Sequence, residues 1–200
     1  KKLGELNIQS NFIKGLRVTD KDTISIVEDV LIEFNKEIVN ALNNQSCETR
    51  RITSKEYNII TVKPESEELG FVGTPTNIKG NVLKEIIKVN EVPVIAPLGL
   101  DKNNQTFNIN ADTVAGAIAK ELKARRLIII SDVEGVLGDE KKLIPEINSV
   151  QAKQMINNEI ISGGMIPKIN NCLDVAKNGV KAVCIIDGRK NHSILFELLS

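Results

Sequence analysis

Apolar runs that alternate with helical stripes predict an α/β protein, with a mainly parallel sheet covered by helices on both faces. Three observations carry this expectation. The runs at 92–97, 126–131 and 181–186 are almost continuously apolar, as strands buried on both faces must be. Stretches with helical spacing of apolar residues separate them. And 42% hydrophobic residues in a chain of 200 suffice for a sizeable core in one domain, or in one domain plus part of another.

The elements follow in order. Residues 22–43 fit a long amphipathic helix with apolar positions at Val27, Leu31, Phe34, Ile38 and Leu42, and Thr19 or Asp20 can cap its start. Short strand-like runs at 49–53, 58–62 and 70–79, separated by turn residues, suggest a small antiparallel hairpin region. A helix at 82–89 precedes the apolar run at 92–97, which gives way to Gly99. The second half alternates: helix 112–123, strand 126–131, a polar excursion ending near Ile147, helix 149–158, a Gly-Gly turn, a helix from about Ile166 to an Asn178-Gly179 stop, strand 181–186 and helix 192–199. No internal repeat or low-complexity segment interrupts the pattern.

Composition excludes several classes. Charged residues make up 26% and cancel to zero, with pI near 6.8, so no nucleic-acid groove or membrane surface is expected. Five Phe, one Tyr and no Trp make base-stacking platforms unlikely to be present in number. No apolar stretch reaches the ~20 residues of a membrane span, and none reads as a signal peptide. Cys47, Cys172 and Cys184 form neither a metal-type pair nor an even set, which fits thiols in a reducing cytoplasm. The chain opens on Lys1-Lys2 rather than Met, as a piece of a longer protein would.

Four polar constellations stand at element ends. In Phe107-Asn-Ile-Asn-Ala-Asp-Thr113, the residues Asn108, Asn110 and Asp112 alternate where an extended stretch meets a helix start. Alternation would put them on one face, and Asp112 can be either an N-cap or a site carboxylate. Such a cluster at a strand's C-terminal edge lies where open α/β folds bind ligands. In Lys14-Gly-Leu-Arg-Val-Thr19, Arg17 can grip a carboxylate with two parallel hydrogen bonds, or stand on the surface. Ser131-Asp132-Val133-Glu134-Gly135-Val136-Leu137 follows a strand directly, as a ligand-contacting loop or a plain turn would. In Ile161-Ser-Gly-Gly-Met-Ile-Pro-Lys168, paired glycines allow backbone N–H groups close to a phosphate, and the helix after them offers a positive N-terminus. A lysine in that first turn opposes the dipole unless it faces an anion. The only histidine, His192, reads as structural.

These motifs together resemble the amino-acid kinase family, specifically its acetylglutamate kinases. The match runs nearly end to end: Gly15-Leu-Arg-Val-Thr19, Gly70-Phe-Val-Gly73, Pro93-Val-Ile-Ala-Pro97, Asn108-Ile-Asn-Ala-Asp112, Ser131-Asp-Val133, Gly163-Gly-Met-Ile-Pro-Lys168 and Ile186-Asp-Gly-Arg189. The resemblance implies a three-layer α/β/α sandwich with its first strands missing. Roughly residues 1–110 would serve acceptor binding and dimerisation, and 111–200 ATP binding. It implies transfer of the ATP γ-phosphoryl group to the side-chain carboxylate of N-acetyl-L-glutamate, a step of arginine biosynthesis, with Mg²⁺ carried by the nucleotide and no metal held by the protein itself. By the same resemblance Arg17, Asn108 and Asn110 would hold the acceptor, Asp112 would organise catalytic lysines, and Lys168 would stabilise the transferring phosphoryl group. The nucleotide would lie on Asp132, Val133, Glu134, Gly135, Val136 and Leu137, and on Ile160, Ile161, Ser162 and Gly164. The helix at 22–43 resembles the one through which such enzymes form homodimers. The family's Lys-x-Gly-Gly and His-Gly-Gly-Gly-like loops stand ahead of the span in hand, which implies little or no activity for these 200 residues alone. Ser54-Lys-Glu56 replaces a common Gly-Lys-Asp turn. Two alternatives remain: a kinase for another acidic acceptor, or a non-catalytic binding or dimerisation module.

Overall fold

The computed structural model describes residues 4, 11–13, 16–138 and 142–199. The chain divides into two compact units, 1–118 and 119–200. Lys14 and Gly15, which belong to the first predicted motif, lie outside the described residues.

In the first unit, β1 (Phe12–Ile13) and β2 (Leu16–Arg17) pair antiparallel ahead of α1 (Lys21–Asn43). Asp20, not Thr19, caps α1: its carboxylate accepts from the Thr23 N–H at 2.8 Å, and this bonding holds its pKa below the usual carboxylate value. The helix buries Thr23, Ile24, Asn35 and Val39, so the core stripe is rotated from the expected one. Phe34 is 56% exposed and Val30 is exposed beside it. Asn35 takes the inward place because its Nδ2 donates to the Val94 carbonyl at 2.8 Å. A polar residue in a core stripe hides that stripe from a purely apolar pattern.

The hairpin region proves different from expectation. Only β4 (Ile60–Pro64) and β5 (Gly73–Ile78) pair antiparallel; β3 (Thr49–Ile52) pairs in parallel with β6 (Val92–Ile95). The Arg50 guanidinium on β3 meets the Glu91 carboxylate, just before β6, in a two-bond fork of 2.6 Å each. Helix α2 (Gly80–Lys88) connects β5 to β6 and buries Leu83 completely. Two short strands were not foreseen as a pair, β7 (Leu98–Leu100) and β8 (Thr106–Asn108). The Asp101 carboxylate closes the turn between them, accepting from the N–H groups of Asn103 and Gln105 at 2.8 and 2.9 Å. The order β5-β4-β7-β8 leaves Pro75 on an edge strand, where a missing N–H costs no ladder bond. Helix α3 (Ala111–Leu122) begins in the first unit and ends in the second.

In the second unit, β9 (Arg126–Ser131) and β10 (Ala182–Asp187) pair in parallel over their full length, from Arg126 against Ala182 to Ser131 against Asp187. Helices α4 (Ser149–Asn157), α5 (Met165–Lys177) and α6 (Ser193–Leu199) accompany them. Asn148 and Gln151 cap α4 reciprocally, each side chain accepting from the other's backbone or its neighbour's. Val136, Ala152, Ile161 and Ile169 form the buried centre. The three cysteines are free thiols, and no described helix is long and apolar enough to cross a membrane.

Candidate active site

Three distant segments meet in the first unit around Thr19, which is fully buried. The Thr19 N–H donates to the Leu69 carbonyl at 3.0 Å, and the Thr19 carbonyl accepts from the Phe71 N–H at 2.7 Å. This approach needs a glycine at position 70. Gly70 has φ +66°, and any Cβ there would strike the Thr19 carbonyl oxygen. From the third segment, Asn108 at the end of β8 donates through Nδ2 to the Thr19 hydroxyl at 3.4 Å, and its N–H donates to the Phe71 carbonyl at 2.9 Å. The Thr19 hydroxyl in turn donates to the Arg17 carbonyl at 3.2 Å. The Arg17 guanidinium lies over the Phe12 ring, 4.8 Å from its centre. Two predicted acceptor residues, Arg17 and Asn108, are therefore joined through one buried hydroxyl. Thr19 and Gly70 were part of recognised motifs, but Thr19 was read only as a possible helix cap and Gly70 was given no role.

Asn110 and Asp112 sit elsewhere than alternation suggested. Strand β8 stops at Asn108, so the period of two does not reach them. Asn110 is the N-cap of α3: its Oδ1 accepts from the Thr113 N–H at 3.1 Å, and its carbonyl accepts from the Val114 N–H at 3.0 Å. Asp112 lies in the first turn of α3, half-buried, where a carboxylate faces the positive end of the helix. The capping role thus falls to Asn110.

In the second unit, two loops converge at the C-terminal ends of β9 and β10. Asp187 is buried, and its carboxylate accepts three bonds of 2.9 Å from Arg189, through the backbone N–H, Nε and Nη2. The Arg189 hydrogen bonds pull its pKa from an ordinary 3.8 to about 2. Gly188 donates its N–H to the Ser131 carbonyl at 2.8 Å, and Lys190 Nζ stands 3.0 Å from Glu134. The loop after β9 is so tied to the loop after β10. Asp187 and Arg189 stood in a recognised motif but were given no role, and Lys190 was missed.

Within the first of these loops, Asp132 and Glu134 are exposed, Val133 and Leu137 half-buried, and Gly135 and Val136 buried. Val136 packs in the core with Ile161, so neither side chain faces outward. Ile160 is half-buried and Ser162 exposed. Gly163, at φ +55°, and Gly164 have nothing within 4 Å of where a Cβ would stand. Gly164 caps α5 with no side-chain bond to its first N–H groups. Pro167 in the first turn lacks only an N–H that would have had no helical partner. Lys168 follows, half-buried. Open glycines and a lysine gather at this helix start, where the Met165 and Ile166 N–H groups donate to the Ser162 and Gly163 carbonyls at 3.3 Å each.

An apolar parallel pair whose C-terminal loops carry glycines and charges is the edge at which α/β folds bind their ligands. The amino acid kinase family profile matches residues 1–187, and the chain belongs to that family. It is 77% identical to the acetylglutamate kinase of Pelagibacter ubique (strain HTCC1062), over 100% of this chain and 69% of that protein. It is 45% identical to the acetylglutamate kinase of Campylobacter fetus subsp. fetus (strain 82-40), over 99% of this chain and 71% of that protein. Among solved structures, a Streptococcus mutans UA159 protein superposes with a TM-score of 0.87 at 31% identity, covering 92% of this chain and 76% of its own.

Proposed function

We propose that this chain carries the acetylglutamate kinase reaction: ATP phosphorylates the side-chain carboxylate of N-acetyl-L-glutamate, within arginine biosynthesis. The observation that carries the reading is the joining of Asn108 through Thr19 to the main-chain carbonyl of Arg17, which brings these two residues of the motifs to one place, in a relative of acetylglutamate kinases. Arg17 offers a planar fork to the acceptor's main-chain carboxylate, and Asn108 offers an amide to its N-acetyl group. Asn110 shapes the start of α3 behind them. The nucleophilic carboxylate, with a pKa near ~4.3, is ionised at neutral pH, so no general base is needed. The work is positioning and neutralising charge. Lys168 at the start of α5 stabilises the transferring phosphoryl group, and Asp112 orients cationic partners.

Asp132, Val133, Glu134, Gly135, Val136 and Leu137 form one nucleotide loop, with Val136 contributing by packing and the exposed residues by contact. Ile160, Ile161, Ser162 and Gly164 form the other, with Ile161 again a core support. The open space over Gly163 and Gly164 suits close approach of a phosphate. Mg²⁺ is assigned to the nucleotide's phosphates. Among the described residues no group of three or more His, Cys, Asp or Glu could hold a metal ion, so no protein ligands are named for it. Residues up to about 110 are assigned to the acceptor and those from 111 to ATP. The exposed Val30 and Phe34 of α1 are assigned to a homodimer contact, and the enzyme to the cytoplasm.

The test is ADP release by an active polypeptide containing this chain, with N-acetyl-L-glutamate, N-acetyl-L-aspartate, L-glutamate and N-acetyl-L-2-aminoadipate offered in turn. Preference for N-acetyl-L-glutamate by at least an order of magnitude in kcat/KM is expected. Equal or better use of another acceptor overturns the assignment.

A further inference from the structure

Glu28 stands two turns into α1, with a side chain only 14% exposed. A carboxylate so placed must be satisfied by hydrogen bonds or ion pairs. Its Oε1 accepts from the Ser54 hydroxyl at 2.6 Å and from the Thr106 hydroxyl at 3.1 Å, while Lys55 Nζ stands 3.9 Å from Oε2. Thr106 and Asn108 are the two ends of the three-residue strand β8, and side chains two apart share a face. That face follows α1 and the segment before it: Thr106 meets Glu28 in the helix, and Asn108 meets Thr19 ahead of the cap. Strand β8 is held on its other side by three register pairs with β7 and by Phe107, which is buried against Phe71 with ring centres 5.6 Å apart. Ahead of α1, the Asn108 end is also tied through Phe71, whose carbonyl accepts from the Asn108 N–H and whose N–H donates to the Thr19 carbonyl; the Thr106–Glu28 bond ties the other end of β8 to α1 itself.

We infer that Glu28 is a positioning residue for the acceptor site: through Thr106 it fixes the register of β8 against α1, and so the place of the Asn108 amide. The inference rests on the reading of Asn108 as an acceptor contact. Ser54 and Lys55 hold the carboxylate from the opposite side. The Ser54 hydroxyl makes a bond that a glycine at this position could not make. The latch gives a purpose to a charge that an apolar residue would replace if packing alone mattered.

Three variants test it in an active polypeptide carrying these residues: Glu28→Ala, Thr106→Val and the pair together. Each single change should raise KM for N-acetyl-L-glutamate on the order of tenfold, as sub-ångström misplacement of a binding group does, with KM for ATP unchanged. Because both variants open the same latch, the double variant should be no worse than Glu28→Ala alone. Glu28→Gln, which keeps an acceptor oxygen, should restore most of the affinity. Additive effects in the double variant, or a lower melting temperature with normal KM for the acceptor, would overturn the latch. Arg17→Lys separates the two readings. If it raises KM for the acceptor while Glu28→Ala does not, the latch fails and the acceptor site stands. If neither variant acts, the side-chain amide resonance of Asn108 in the 200-residue chain decides: a shift in Glu28→Ala upholds the latch, and an unmoved resonance refutes it.

Discussion

Replacing Gly70 by alanine probes the junction on which the acceptor site is built. Three effects combine. At φ +66° an L-residue is strained by about 1–2 kcal/mol. Alanine also stiffens the unfolded chain, which returns about 0.4–1 kcal/mol. The new Cβ lands on the Thr19 carbonyl oxygen, with the Thr19 carbonyl carbon at 3.2 Å and the Asp20 Cα at 3.7 Å, so backbone must move. That carbonyl accepts the 2.7 Å bond from Phe71, and weakening a buried backbone bond costs about 1–3 kcal/mol. The sum is a loss of about 1–5 kcal/mol, centred near 3. Gly163→Ala is the control: its φ is +55°, but nothing lies within 4 Å of the added carbon, so only the strain less the entropy return remains, a loss of about 1 kcal/mol. Urea unfolding followed by tyrosine fluorescence suits Gly70, because Tyr57 is the only tyrosine, no tryptophan is present, and it belongs to the same unit. Circular dichroism reports Gly163→Ala. A Gly70→Ala loss below about 1 kcal/mol, or one equal to the control, would refute the reasoning from close approach.

Three further outcomes are expected. Asp112→Asn should leave the melting temperature within a few degrees, because Asn110 caps α3, yet lower kcat by at least an order of magnitude; a normal kcat removes Asp112 from catalysis. Arg17→Lys should raise KM for the acceptor and leave KM for ATP unchanged, because lysine loses both the planar fork and much of the stacking on Phe12; equal shifts in the two constants would make Arg17 a structural residue. Asp187 has a folded pKa near 2 against an ordinary 3.8, so its contribution is present above pH 3.8 and lost as pH falls toward 2. Asp187→Asn should therefore be less stable at neutral pH and show a flatter acid limb across that window, measured by thermal melts. An unchanged limb would show that the Arg189 bonds do not form in solution.

What the sequence made legible follows from the range of each interaction. Strands β9 and β6 could be read because their apolar runs show in the residues themselves, although Val92 and Ile130 stand exposed, and helix starts because caps act within three residues. Strand partners could not. Nothing local tells Thr49–Ile52 to pair with Val92–Ile95 rather than with the strand that follows it; the Arg50–Glu91 fork appears only once the chain has folded. The face of α1 was misjudged because Asn35 occupies a core position by bonding to Val94. At the site, residue types were legible and divisions of labour were not. Asn110 took the cap from Asp112, Val136 and Ile161 turned into the core, and Thr19, a short polar residue beside an arginine, became the joint of three segments.

The central claim is transfer of a phosphoryl group to a carboxylate at a site neutralised by Lys168. The most direct measurement is hydroxylamine trapping of the acyl phosphate formed from ATP and N-acetyl-L-glutamate. It should be run on this 200-residue chain, on an upstream-extended active polypeptide, and on its Lys168→Ala variant. The extended polypeptide should give the glutamyl hydroxamate, and Lys168→Ala should lower kcat on the order of 10²–10³-fold with little change in KM. Absence of hydroxamate alongside ADP release, or a Lys168→Ala variant keeping more than about half the rate, would contradict the account, since one lost transition-state donor must cost far more.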